Sequence, residues 1–256
     1  MKNVFTILFT CVLSLQFAMA QGITTYQYRR VAPADMDDYL KRETTYWKTW
    51  AEAEVKKGNL LFWAILQRIG GMNQENGSNI LIINTFKDID KGADWGSVDA
   101  MFPNVKMEDI QTWDISTNRA SVFLRGLNHI QGENVDPPKD FNFVRIIYHN
   151  TKNNGMHLAF ESDKWKPMVE KAMADGKTTM KGWGNSQIIS PESDDFPYST
   201  ISYDLFSSLH DALSPAFSED MTIPDGFFDG LNENYEGPRN SNVFRVVTVV
   251  TPEWSK

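Results

Sequence analysis

Cysteine is nearly missing from this chain. Cys11 is the only one in 256 residues, and it falls inside an N-terminal apolar run. Cleavage after Ala20 would leave a mature chain without any, which excludes disulfides and every thiolate zinc site. Basic charge is also in deficit. Lys2 is the only charged residue before position 21, so 24 Lys and Arg then face 33 Asp and Glu, a formal charge of −9. No basic run relieves this deficit, which argues against nucleic acid or an anionic membrane as partner. Residues 21–256 hold no second long apolar segment, so no integral membrane segment is expected beyond the leader. G-x-S-x-G, a Gly-rich phosphate loop, H-x3-H and H-E-x2-H are absent too.

What is present begins with that leader. Lys2 supplies a positive start, an apolar run extends from Val4 to about Phe17, and Ala18-Met19-Ala20 has the small-x-small form of a cleavage site. A signal peptide over residues 1–20 and a periplasmic or secreted mature chain are therefore expected. That chain is long enough to bury roughly 70% of its unfolded surface, so it does not need disulfides to fold.

An internal repeat is the strongest signal. Glu43, Trp47, Lys48, Glu52 and Gly58 return as Glu161, Trp165, Lys166, Glu170 and Gly176, each 118 residues later. The shared pattern is E-x3-W-K-x3-E-x5-G, and five identities in one ungapped register point to duplication. The first half reads as strand Thr24–Val31, a helix ending at Gly58, strands Leu60–Arg68 and Ile80–Phe86, a helix within Trp95–Asn118, and strand Ser121–Ile130. The second reads as strand Phe143–His149, a helix capped at Asn153 or Asn154 and ending at Gly176, strands Lys181–Ile189 and Tyr198–Leu205, a helical and looped stretch Ser207–Tyr235, and strand Asn242–Val250. Asp136–Asp140, with Pro137 and Pro138, is the linker. The domains expected are 21–135 and 141–256.

This order is βαββαβ twice: an α+β fold of two tandem ferredoxin-like repeats. With E-x3-W-K-x3-E on the first helix of each, the chain resembles the dimeric α/β-barrel superfamily, and its Trp165–Pro167 stretch is similar to that of certain exported bacterial proteins. The resemblance implies two four-stranded sheets packed into one barrel within a single chain, and a ligand position between helices and sheet. It leaves the activity open, because that superfamily holds cofactor-independent monooxygenases, haem-binding enzymes and members without assigned chemistry. A homodimer of the whole chain is compatible with it.

The helices carry the candidate site. At about 100° per residue, Met36, Tyr39, Leu40, Trp47, Trp50 and Ala51 fall on one face with Glu43 in its middle. Lys48 and Glu52 form an i,i+4 pair on the opposite, solvated face. Around Glu161 the projection gathers His157, Leu158, Trp165, Met168 and Val169, with a kink expected at Pro167. A carboxylate on an apolar face must be paired or hold its proton. One reading makes Glu43 and Glu161 packing anchors held by Arg29, Arg125, Arg145 or Arg245. The other makes a site. Glu161 and His157 are then the catalytic candidates, exchanging a proton, and Trp165, Arg145, Tyr39, Glu43 and Trp47 are the ligand-binding candidates. Tyr39 stands where the second repeat has His157, and with a pKa near 10 it cannot relay a proton at neutral pH. The second repeat is therefore the better candidate. The ligand expected is a small aromatic or quinone-like molecule, with no cofactor and no metal. His129, His149 and His210 are not placed in the site, and His149 and His210 are the residues open to a haem. The function is either small-molecule binding or cofactor-independent catalysis in an aromatic pocket, or a structural module in which the Glu–Trp helix only packs.

Overall fold

The computed structural model describes residues 22–70, 77–191, 196–237 and 239–252. The expected leader and most of the Gly70–Ser78 turn lie outside the described residues. Eight strands form: β1 (Ile23–Val31), β2 (Leu60–Arg68), β3 (Ile80–Phe86), β4 (Ser116–Gln131), β5 (Phe143–His149), β6 (Gly182–Ser190), β7 (Thr200–Phe206) and β8 (Asn240–Val250). All pair antiparallel and close into a barrel in the order β1-β3-β2-β8-β5-β7-β6-β4. Each half supplies four adjacent strands, β4-β1-β3-β2 and β8-β5-β7-β6. The seams are β2 against β8 and β4 against β6.

Alternation along the strands sorts side chains into an interior and an outer layer. Inside the barrel, Tyr26, Tyr28, Leu81, Val122, Ile146, Tyr148, Ile201 and Phe244 meet in one buried cluster. Outside, each half lays one long helix across its own sheet. In the first half this helix runs through Met36–Arg42, Glu43–Trp47 and Lys48–Lys57; in the second, through Asn154–Phe160, Glu161–Trp165 and Lys166–Ala174. Both stop before a glycine in the left-handed region, Gly58 at φ 77° and Gly176 at φ 66°, which closes a helix end without a Cβ penalty. Asn153 caps the second, its side chain accepting from the Met156 amide at 2.9 Å.

Each middle segment is a π turn. The Lys48 amide bonds the Glu43 carbonyl and the Lys166 amide bonds the Glu161 carbonyl, five residues back in each case. In the second half this turn comes just before Pro167, where a kink is expected. Proline is not its cause, because the first half makes the same turn with Thr49 at the matching position.

The segments between strands hold less helix than the sequence pattern suggests. Trp95–Asn118 contains only Ser97–Met101 and Met107–Ile110, interrupted at Pro103, and β4 starts five residues earlier than expected, at Ser116. Ser207–Tyr235 contains the short helix Leu209–Leu213 and a 3-10 turn, Asn232–Asn234. Pro215, Pro224 and Gly226 break the rest.

Candidate functional site

Glu43 and Glu161 are both buried, at 3% and 4% exposure, whereas Glu52 and Glu170 are exposed. The arginine partners are not what holds them. Arg29 bonds Ser116, Arg245 bonds Gln67, and Arg145 pairs across the sheet with Asp204 at 2.9 Å. Strand register places Arg145 opposite Asp204, so that pair satisfies itself. Glu43 instead accepts from the Thr112 hydroxyl at 2.9 Å, and Glu161 from the Asn185 amide at 2.8 Å. Neutral donors are cheaper to bury than a guanidinium.

The two halves then diverge. Under the first helix the space is filled. Fifteen buried residues form that core, including Tyr39, Trp50 and Trp63. Trp95 stacks on Trp50 at 4.3 Å, while the Trp47 and Trp50 indoles donate to the carbonyls of Ile110 and Asp94. Tyr39 and Trp47, expected as ligand-binding residues, both pack in this core, Tyr39 fully buried and Trp47 partly so. Its hydroxyl has no partner of good geometry, although it lies close enough to Glu43 to favour the ionised carboxylate.

Under the second helix only seven buried residues, among those described, form the core, and a cavity of about 580 Å³ remains, partly open to solvent. Its polar floor comes from the outward faces of the strands: Arg145 and His149 on β5, Ser202 and Asp204 on β7. The helix adds His157, Phe160, Glu161 and Trp165. The loop after β7 roofs it with Phe217, Phe228 and Tyr235, Trp165 meeting Phe217 edge-on at 5.7 Å. Asn234 fixes this roof to the helix start, bonding both the amide and the carbonyl of Asn153.

At the floor, Glu161 Oε1 lies 3.6 Å from His157 Nε2 and 3.9 Å from His149 Nε2. The i,i+4 approach of His157 to Glu161 is present, but 3.6 Å is too long for the hydrogen bond expected. Asn185 draws the carboxyl towards the sheet, and both His157 nitrogens remain buried without partners. His149 Nε2 bonds Ser202 Oγ at 2.8 Å. Burial pushes the Glu161 carboxyl up to about 7, against hydrogen bonds from Asn185 and Ser202, and the Asp204 charge adds to the rise. Burial lowers His157 to about 4 and His149 to about 2, with the Arg239 charge acting in the same direction on both. The imidazoles are neutral at pH 7, so these contacts are not ion pairs.

The structure thus brings together Glu161, His157, Trp165 and Arg145 around the cavity and places Glu43 and Tyr39 under the first helix, buried, with Trp47 partly buried beside them. It also corrects one exclusion, because His149 belongs to the cluster. A signal for it existed: Val31 stands 118 residues earlier, so a buried apolar position in one half is an imidazole in the other. Ser202, Asn185 and Asp204 carried no such mark. His210 is exposed and outside the cavity, and His129 bonds Tyr203. A haem does not fit the floor. An axial imidazole needs a free face for the macrocycle, whereas both Nε2 atoms face the Glu161 carboxyl within 3.9 Å.

Neither a protein-family model nor a curated sequence relative matches the chain. Solved structures do. A monooxygenase candidate from Lactobacillus acidophilus superposes with a TM-score of 0.53 at 14% identity, covering 90% of this chain and 95% of its own. An anthrone oxidase-like protein gives 0.54 at 10%, covering 92% and 95%, and a monooxygenase candidate from Fusobacterium nucleatum gives 0.53 at 9%, covering 90% and 94%. At such identities the likeness is one of architecture: this chain shares with them an α+β fold built on a closed barrel of eight antiparallel strands.

Proposed function

We propose that this is an exported small-molecule protein built from two ferredoxin-like repeats, 21–135 and 141–256, joined by 136–140, in which the second repeat holds the working site. The observation that carries this reading is the cavity beside Glu161, at the place where the first half packs tryptophan. A structural module has no use for a hollow in one half only, since a void costs stability. The ligand class follows from the walls. Phe160, Trp165, Phe217, Phe228 and Tyr235 offer flat apolar surfaces to a planar or aromatic molecule. Glu161 meets its polar end, with a pKa near the range in which a carboxyl exchanges a proton at neutral pH. His157 and His149, neutral and beside it, complete the polar floor. Proton abstraction from an aromatic or quinone-like compound is the reaction this floor best suits.

The test is titration of a panel of quinones, phenols and fused-ring aromatics into the mature protein, read by tryptophan fluorescence, with Trp165→Phe and Glu161→Gln alongside. Saturable binding that both variants weaken is the expected result. No binding by any compound, or binding that survives in both variants and is lost in Glu43→Gln, refutes the second-half site and favours the structural module.

A further inference from the structure

The floor of the cavity has a chemistry that proton exchange alone does not account for. His149, His157 and Glu161 each turn a ligand-type atom to one point, and these atoms all lie within 4.8 Å of one another. They come from two elements with separate reasons for their positions. His149 ends β5, on the outward face set by strand alternation, and His157 and Glu161 sit one turn apart on the helix laid over it. We propose that these three residues form a mononuclear site for a divalent transition-metal ion. The inference rests on the cavity being a functional site, and it makes the ion, rather than the bare Glu161 carboxyl, the group that meets the small molecule.

Three observations support it. First, the distances are right. Ligands about 2.1 Å from a metal in tetrahedral or octahedral arrangement stand roughly 3.0–3.4 Å apart. Here the two Nε2 atoms are 3.6 and 3.9 Å from Glu161 Oε1, and all three ligand atoms lie within 4.8 Å of one another, so binding draws the cluster together by roughly 1–2 Å at most. Second, His157 is buried at 1% exposure, and among the described residues neither of its ring nitrogens has a hydrogen-bond partner. A buried imidazole without partners is costly, and a metal bond would satisfy the nitrogen that faces Glu161. Third, the carboxylate is oriented from behind. Asn185 Nδ2 holds Oε2 at 2.8 Å, Asn185 Oδ1 accepts from Asn128 at 3.0 Å, and Asn128 also bonds Ser162 at 2.9 Å. This chain fixes one carboxylate oxygen and leaves the other directed at the imidazoles, as outer partners do at metal centres.

Two imidazoles and a carboxylate form a borderline donor set. They favour zinc, iron(II) or their first-row neighbours over magnesium or calcium, which prefer oxygen ligands alone. Three protein ligands leave coordination positions open, and the cavity lies on that side. Binding gives up the bond between His149 Nε2 and Ser202, so Ser202 then faces an open position. The first half supplies an internal control. At the same 118-residue offset it carries Val31, Tyr39 and Glu43, a buried carboxyl with no nitrogen ligand around it.

The experiment uses the chelator-treated mature chain, loaded with zinc or cobalt(II) alone and dialysed. One zinc per chain and a cobalt d–d absorption band are expected. His149→Val, His157→Tyr and Glu161→Gln should each weaken zinc at least ~100-fold, Asn185→Ala about 10–100-fold, and Glu43→Gln should not change it. The first two variants insert the residue the first half uses, Glu161→Gln is isosteric, and circular dichroism confirms their folding. Substoichiometric zinc in the parent, or parent-level zinc in all three ligand variants, overturns the site. Repeating the aromatic titration with and without zinc separates the two readings. Aromatic binding by a protein that takes no zinc sinks the metal site alone. Stoichiometric zinc without any aromatic binding supports the metal site and sinks the aromatic ligand.

Discussion

Replacing Glu43 by glutamine should raise the stability of the protein at pH 8 and do so far less at pH 5. Glu43 is 3% exposed. Burial pushes its carboxyl from 4.5 up to about 7, against the lowering effects of the Thr112 and Tyr39 hydroxyls and the Arg29 charge. A carboxyl whose folded pKa is raised holds its proton more tightly in the native state than in the unfolded chain. Stability therefore falls as pH rises from about 4.5 to about 7, since the unfolded state binds fewer protons over that window. Integrating the rise from 4.5 to about 7 gives about 3 kcal/mol in all, most of it lost between pH 5 and pH 8. Glutamine mimics the protonated acid: its oxygen accepts from Thr112, and its amide can donate to the Tyr39 hydroxyl, which has no partner of good geometry. Urea denaturation of parent and Glu43→Gln at half-unit intervals from pH 5 to pH 8 should show the two curves separating, the variant being the more stable at the alkaline end. Parallel curves would mean that Glu43 ionises as it does in the unfolded chain, and the burial argument would fail.

Three further outcomes follow from neighbouring contacts. Glu54 is fully buried and receives Lys57, Asn59 and the Asp94 amide; Glu54→Ala should cost about 2–3 kcal/mol in urea denaturation, whereas Glu52→Ala, exposed beside Lys48, should cost next to nothing. A Cβ at Gly184 would stand 2.3 Å from the Tyr203 hydroxyl and 2.6 Å from the Asn128 carbonyl, so Gly184→Ala must part β6 from its neighbours and lower the melting temperature, at roughly 1–3 kcal/mol. Arg145→Met strips the charge partner from Asp204, which is 6% exposed; the loss should be about 3–5 kcal/mol at pH 8 and shrink as pH falls and Asp204 takes up a proton.

Where local pattern decides structure, the sequence was readable. Leu60–Arg68, Ile80–Phe86 and Phe143–His149 form the strands their composition suggests, because apolar runs bounded by turn residues have few alternatives. Gly58 and Gly176 end the helices, and the placement of Glu43 and Glu161 on an apolar stripe survives the π turns. Trp95–Asn118 was harder: Pro103 breaks the helix, and tertiary pairing with β1 extends β4 back to Ser116. The site was half legible. Glu161, His157 and Trp165 share one helix, so periodicity joins them. His149, Asn185 and Ser202 arrive from three separate strands, and nothing local says which of their two faces meets that helix. The π turn was invisible too, since it depends on the backbone ladder rather than on a residue type.

Barrel closure has a consequence for how such a site can arise. A barrel made from two identical chains carries every residue twice, so a change that hollows one half hollows the other, and the lost packing counts double. Closing β2 on β8 and β4 on β6 within one chain removes that coupling. It also makes the meeting of the halves intramolecular, so that assembly no longer depends on protein concentration. One half is then free to stay dense, with Trp50 and Trp63 at its centre, and can support a partner that has exchanged packing for an opening lined by His149, His157 and Glu161.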